Sequence, residues 1–212
     1  NAEETEYLVI EDAFPNGRPK LEAAGIMFSN RETVEKFEKM KVGTCLNPLH
    51  TALAIFGCLL GYETVHEEMK DENMKKLVWE LGYKEGMPVA CNPGIASPGD
   101  FLHEVLTKRF TNPFLPDSPR RIALDTSQKI PVRFGQTLKA YESTPELDLD
   151  SLTFIPLVFA GWLRYLIGVN DRGESFELSP DPRLEELTGL LKDIKLGKAL
   201  INEEGIDAIL SD

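Results

Sequence analysis

The stretch Lys39–Gly61 reads KMKVGTCLNPLHTALAIFGCLLG and sets Lys41, Asn47 and His50 at the entrance to a strongly apolar run. A lysine whose pKa is drawn down by partial burial can give and take a proton near neutrality. Asparagine and histidine can donate hydrogen bonds to an oxygen that gains negative charge. Asn47 and His50 are three apart and so share one helix face, which continues into the small residues Ala54 and Cys58. That pattern predicts a pocket floor. The three side chains suit proton transfer coupled to hydride transfer at a carbonyl or an alcohol.

Each of the three also has an ordinary role. Asn47 before Pro48 suits an N-cap followed by a first-turn proline. Lys41 suits a solvated position after an amphipathic helix, and His50 a hydrogen-bonded core position. A second set, Arg120, Arg121, Lys129 and Arg133, is a basic cluster in an acidic chain. Arginine grips a carboxylate with two parallel hydrogen bonds. For Arg120 and Arg133 the expected role is ion pairing on the surface with Asp117 and Asp125. Trp79 and Trp162 are expected as core or interface anchors, and Cys45 as a packing residue.

The elements that position these residues are mostly helical. Glu6–Glu11 and Ala24–Phe28 are β-rich and flank a turn cluster at Phe14–Pro19, which predicts a small hairpin or an added sheet edge. Asn30 is placed to cap a helix through Val34, Phe37 and Met40. An apolar helix follows from Pro48 to Leu60 and stops at Gly61. Thr64 and Glu67 have capping-box spacing before a helix through Leu77, Val78 and Leu81. Glu85–Gly99 reads as a loop, and Ser97-Pro98 as the start of the next helix. Further helical patterns cover Arg120–Leu124, Val132–Tyr141, Phe154–Val169, Pro180–Lys192 and Ile201–Leu210. The sum is a mainly α domain with a small N-terminal β element.

The 212 residues suit one domain, and the charge of 23 basic against 35 acidic residues gives −12. Such a balance repels phosphate backbones and anionic membrane surfaces, so neither nucleic acid nor membrane is an expected partner. The apolar run Phe154–Val169 is too short for a membrane span and carries Arg164. Three scattered cysteines suit a reducing cytoplasm. His50, His66 and His103 lack metal-site spacing, so no metal is expected. Neither a glycine-rich dinucleotide fingerprint nor a P-loop occurs, so no cofactor-binding residues are assigned within this chain. The chain opens on Asn1, which suggests a domain cut from a longer polypeptide.

The Lys41…Asn47-x-x-His50-Thr-Ala-Leu-Ala segment resembles the signature of the long-chain mannitol dehydrogenase family. Val9-Ile10-Glu11-Asp12-x-Phe14 resembles that family's entry into its second domain. Arg109-Phe110-x-Asn112-Pro113, Asp117, Arg121-Ile122 and Lys129-x-Pro131 resemble its downstream block. The likeness runs from about Tyr7 to Ile201. It implies a multi-helical domain of the 6-phosphogluconate-dehydrogenase C-terminal type filling residues 1–212, preceded in the family by a Rossmann domain that binds NAD, with NADP left open. The implied partners are that domain and a small sugar acid or polyol, with oligomerisation left open. Carried over by position, Lys41 is the acid–base lysine, Asn47 an oxyanion donor and His50 the residue that orients the reacting hydroxyl or carbonyl. Arg121 and Lys129 are contacts to the substrate's polar tail. Alone, the chain is expected to be catalytically silent.

Several mannitol-oxidising members separate the lysine and asparagine by five positions, whereas Lys41 and Asn47 are six apart. On a regular helix one added residue turns Lys41 by about 100°. A π-bulge or kink between Lys41 and Pro48 is therefore expected to absorb it. The Met-Lys-Val-x-Thr-Cys-Leu-Asn-Pro-Leu-His wording is similar to members that interconvert D-fructuronate and D-mannonate. Its rivals are a mannitol or other polyol dehydrogenase, a tagaturonate reductase, and, in a different class, a non-catalytic helical interaction domain.

Overall fold

In the computed structural model, residues 8–198, 200 and 203–211 are described; Glu6, Tyr7 and Ile201 of the segments above lie outside them. Strands β1 (Val9–Glu11) and β2 (Met27–Ser29) pair in parallel, with Val9 opposite Met27. The turn cluster therefore closes no hairpin, because a parallel partner requires the chain to travel back before pairing. Arg18 holds that return. It meets Asp12 at 2.8 Å and Glu22 at 2.7 Å, and its guanidinium lies 3.4 Å over the Phe28 ring.

Helix α1 (Arg31–Met40) starts where Asn30 accepts from the Thr33 amide, and it buries Phe37 and Met40. After a wider turn at Lys41–Cys45, α2 (Asn47–Leu60) runs through the centre of the molecule and ends at Gly61 with φ +80°. The stretch Arg31–Leu60 has the length and hydropathy of a membrane span, but 78% of its apolar window is buried within the fold, as in a core helix. Ala54 and Cys58 are buried there as well, so they close the core and do not floor a pocket.

The helix expected after Thr64 is two helices. Thr64 caps α3 (Val65–Glu68), and Asp71 then accepts from the Asn73 and Met74 amides to open α4 (Glu72–Glu80). A second carboxylate so near the first cap offers the backbone a fresh start. A wide turn at Leu81–Gly86 and a 3-10 turn at Met87–Val89 occupy the first part of the stretch expected as a loop. Ser97 caps α5 (Pro98–Glu104) as expected, and another wide turn follows at Val105–Arg109. The short α6 (Pro119–Ile122) leads into α7 (Thr126–Ser143), which carries Pro131 in its second turn. Then come α8 (Phe154–Tyr165), α9 (Leu184–Leu190) and α10 (Glu204–Leu210).

The first turn of α8 is capped from a distance. Glu85 accepts from the amides of Thr153, Phe154 and Ile155 at 2.6 to 2.7 Å. Midway along, α8 crosses α2 so closely that a Cβ on Gly161 would lie 2.6 Å from Phe56 Cζ. Leu49, Leu53, Ile55, Leu102, Phe110, Phe134 and Ile155 fill the core around α2. Trp162 is buried with them, whereas Trp79 is 42% exposed and packs against the Tyr83 ring, tilted by 38°.

Candidate active site

The added residue between Lys41 and Asn47 is taken up as the spacing predicts. The Leu46 amide donates to the Lys41 carbonyl at 3.1 Å, a bond five residues back in place of four. Such π-type turns are rare in helices and cluster at functional sites. The turn at Val105–Arg109 closes in the same way, through the Phe110 amide and the Val105 carbonyl at 2.9 Å. These two turns deliver Lys41, Arg109 and Phe110.

Asn47 opens α2, but it does not cap it. Leu46 occupies the cap position at φ −134°, ψ −63°, and no side chain caps there. The amide side chain of Asn47 is thus left free of the capping role. Its carbonyl is well used, accepting from Thr51 Oγ1 at 2.9 Å and from Arg133 Nη1 at 3.3 Å.

One turn on, His50 stacks on the Phe110 ring at 5.1 Å between centroids. His50 Nε2 stands 3.2 Å from Asp117 Oδ2, near enough to attract but out of line for a hydrogen bond. Arg109 Nη1 lies 2.9 Å from the same oxygen, and Arg121 pairs with Oδ1. Burial would raise Asp117, but His50, Arg109 and Arg121 outweigh it and hold its carboxyl down at about 2. His50 is pushed below the ordinary histidine value, first by burial and then by Arg109 and Arg133; Asp117 pulls the other way. The ring is therefore neutral at physiological pH. A proton on Nε2, facing Asp117, leaves Nδ1 as the acceptor for a hydroxyl.

Helix α7 brings the cations. Lys129 Nζ donates to the Ile122 carbonyl at 2.8 Å, and its pKa is lowered by burial and by the neighbouring Arg133. Asp125, in the left-handed region at φ +53°, starts this helix, and Asp181 binds Ser127 through both its amide and its hydroxyl. Arg120 pairs with Glu177, not with Asp117 or Asp125. Arg133 makes no ion pair among the described residues. It is half-buried, with Nη1 on Thr51 Oγ1 as well as the Asn47 carbonyl, and desolvation lowers it to about 10.

Four of the five expected residues, Asn47, His50, Arg121 and Lys129, thus gather around Asp117 and Arg133. Lys41 sits one π-turn ahead of Asn47, and its ammonium meets Glu38 at 3.2 Å. From the sequence, Asp117 stands as a motif position and an ion-pair partner and Arg109 as a motif position, neither as a site residue. Both are central to the cluster, and only the run Arg109-Phe110…Asp117…Arg121 hinted at it. Cys45 is a packing residue, buried and pushed up to about 11 by that burial. No group of three or more His, Cys, Asp or Glu among the described residues is placed to hold a metal. Nor do β1 and β2, joined by turns and one 3-10 turn, form the strand–helix–strand unit that cradles a dinucleotide.

A family model described as the mannitol dehydrogenase C-terminal domain matches residues 33–212. The D-mannonate oxidoreductase of Thermotoga maritima is 57% identical over 213 residues, covering 100% of this chain and 39% of that protein. A mannitol 2-dehydrogenase of Aspergillus fumigatus is 38% identical over 84% of this chain and 34% of its own length. Among solved structures, the Pseudomonas fluorescens mannitol 2-dehydrogenase, in a ternary complex with NAD and D-mannitol, superposes with a TM-score of 0.73. Identity there is 33%, over 87% of this chain and 36% of that one. A substrate-free D-sorbitol dehydrogenase gives a TM-score of 0.71 at 30% identity, over 81% of this chain and 34% of that one. The chain therefore spans little more than a third of the length of these relatives.

Proposed function

Since the chain belongs to the mannitol dehydrogenase family, as a C-terminal domain, we propose that it is the substrate-binding and catalytic domain of an oxidoreductase interconverting D-fructuronate and D-mannonate with NAD(H). The observation that carries this reading is the charge around His50. Arg109 and Arg121 are committed to Asp117, while Lys129 bonds to a backbone carbonyl and Arg133 to a carbonyl and a hydroxyl. Positive charge exceeds negative there, in a chain whose net charge is −12. Such a surplus suits a carboxylate on the substrate. The 57% identity to a D-mannonate oxidoreductase points the same way.

In this reading Lys41 takes the proton from the reacting hydroxyl, or returns it to the carbonyl. Asn47 donates to the oxygen as charge develops on it. Neutral His50 accepts from the sugar hydroxyl through Nδ1 and so orients it, and Arg121 and Lys129 hold the tail. NAD, when bound, supplies the acceptor or donor of hydride. The chain's own described residues do not form the dinucleotide cradle, so we assign that role to a Rossmann domain on the same polypeptide, working in the cytoplasm. The likeness to mannitol-bound mannitol 2-dehydrogenase favours a neutral polyol as the second reading.

NADH oxidation by the full-length protein, offered D-fructuronate and D-fructose side by side, separates the two. Turnover of fructuronate alone supports the carboxylate-reading role of Arg121 and Lys129. Turnover of fructose alone transfers the assignment to a polyol dehydrogenase. Silence with both would sink both substrates.

A further inference from the structure

Arg133, expected to pair with a surface carboxylate, meets none among the described residues. It leaves α7 and ends on the first turn of α2. Its Nη1 sits 3.3 Å from the Asn47 carbonyl and 2.5 Å from Thr51 Oγ1, while Thr51 Oγ1 itself donates to that carbonyl at 2.9 Å. No carboxylate among the described residues comes within ion-pairing distance of it. A half-buried guanidinium with no counter-ion among the described residues is costly and persists only where the surroundings require it.

We propose that Arg133 is a positioning residue, a clamp from α7 that fixes the first turn of α2 and thereby the relative direction of Asn47 and His50. The turn needs such a clamp. Leu46 breaks the helical backbone just before it, and neither a capping side chain nor a regular preceding turn anchors Asn47. Arg133 holds this turn to the helix that carries Lys129, so both halves of the site move as one piece. Its charge has a second consequence. The charged groups facing His50 are Asp117, from the loop before α6, Arg109, from the turn after α5, and Arg133, from α7. The two arginines oppose protonation of the ring, so the clamp also favours the neutral form that accepts a hydroxyl.

The catalytic half of this inference rests on the proposed function; the positional half does not. Two measurements on the full-length protein keep them apart. The first follows the His50 ring by carbon-resolved NMR against pH, assigned with His50→Gln. In Arg133→Met the His50 titration is expected to move up, and in Arg133→Lys to return towards the wild-type value. No movement in Arg133→Met would overturn the clamp whatever the substrate is. The second compares turnover. Arg133→Met should lower kcat about 30-fold with KM changed less than about threefold, since it misplaces groups and touches no substrate. A raised KM at unchanged kcat would overturn the proposal by making Arg133 a substrate contact. Thr51→Val, which removes one anchor without stranding a charge, covers the case in which Arg133→Met fails to fold. It should lower kcat in the same direction but less, and an unchanged kcat counts against the clamp.

Discussion

His50 and Asp117 face each other at 3.2 Å with Arg109 on the same carboxylate oxygen, so an aspartate 67 positions further along the chain sets the charge beside the imidazole. Asp117→Asn keeps the shape and removes the charge. His50 then loses the one group that favours its protonation, and its ring loses the charge it faces. The hydride-transfer step is expected to slow about 100-fold, the order set by small misplacements at a reacting centre. Single-turnover absorbance of NADH in the full-length protein measures it. An unchanged rate would show that Asp117 serves structure alone.

A different carboxylate is a stability switch. Glu68 is fully buried, neither of its oxygens has a hydrogen-bond partner among the described residues, and burial raises it to about 9. Its folded pKa therefore lies above the ordinary value of 4.5 expected of the unfolded chain. The unfolded state gives up its proton first, so stability from this group is full below about pH 4.5 and is lost as pH rises towards 9. The slope is about 1.4 kcal/mol per pH unit within that window. Urea titrations at pH 6 and pH 8 should show the loss in the wild type and a flatter profile in Glu68→Gln. Equal pH slopes in the two proteins would rule the mechanism out.

The same side chain explains a glycine inside α2. A Cβ on Gly57 would lie 1.8 Å from Glu68 Oε1 and 2.7 Å from Pro119 Cγ. Gly57→Ala should cost about 1–3 kcal/mol through overpacking. In a Glu68→Ala background that cost should shrink but persist, because Pro119 remains. Thermal melts of the four proteins of this cycle test it, and strict additivity would show that Glu68 is not the obstacle.

What was legible in the sequence follows the range of each interaction. Asn30, Thr64 and Ser97 cap helices by bonds that span three residues, and their signals lie wholly within a tetrapeptide. The wide turn after Lys41 was legible as a mismatch in spacing. The resemblance to family motifs carried Asn47, His50, Arg121 and Lys129 to one cluster. Arg133 was misplaced because its partner Thr51 is 82 positions away, and nothing local distinguishes a half-buried arginine from a surface one. The parallel pairing of β1 and β2 escaped for a related reason. The turn cluster between them signals a reversal, while the direction of pairing depends on how Arg18 folds the connection back.

The remote cap on α8 belongs with the hidden features. Glu85 satisfies three backbone amides that lie 68 to 70 positions further along the chain. Glu85→Gln keeps one acceptor oxygen and turns a donor towards the amides. Loss of charged hydrogen bonds of this kind costs about 2–3 kcal/mol, enough to lower Tm by roughly 4–12 °C in a domain of this size. Calorimetry on Glu85→Gln gives the answer, and a Tm within 1 °C of the wild type, on the order of the uncertainty of such a scan, would contradict it.

The wide turn at Lys41–Cys45 makes the most specific prediction about architecture. A residue added to a regular helix rotates everything beyond it by about 100°. Here the addition is confined to the turn between α1 and α2, where the Leu46 amide reaches back to the Lys41 carbonyl. Removing one residue from inside the turn should let that bond close over four residues and leave Lys41 facing as before. Gly43 is the residue to remove, since it carries no side chain and its one side-chain partner is Thr137 Oγ1, which donates to its carbonyl. The full-length protein lacking Gly43 is expected to fold and to keep its turnover within about tenfold. Deletion of Leu53, in the regular part of α2, should instead turn the buried face of the helix outward and abolish folding. Circular dichroism and turnover of the two deletions decide the matter. Equal damage from both would mean that the turn at Lys41 is no more tolerant of length than the rest of the helix.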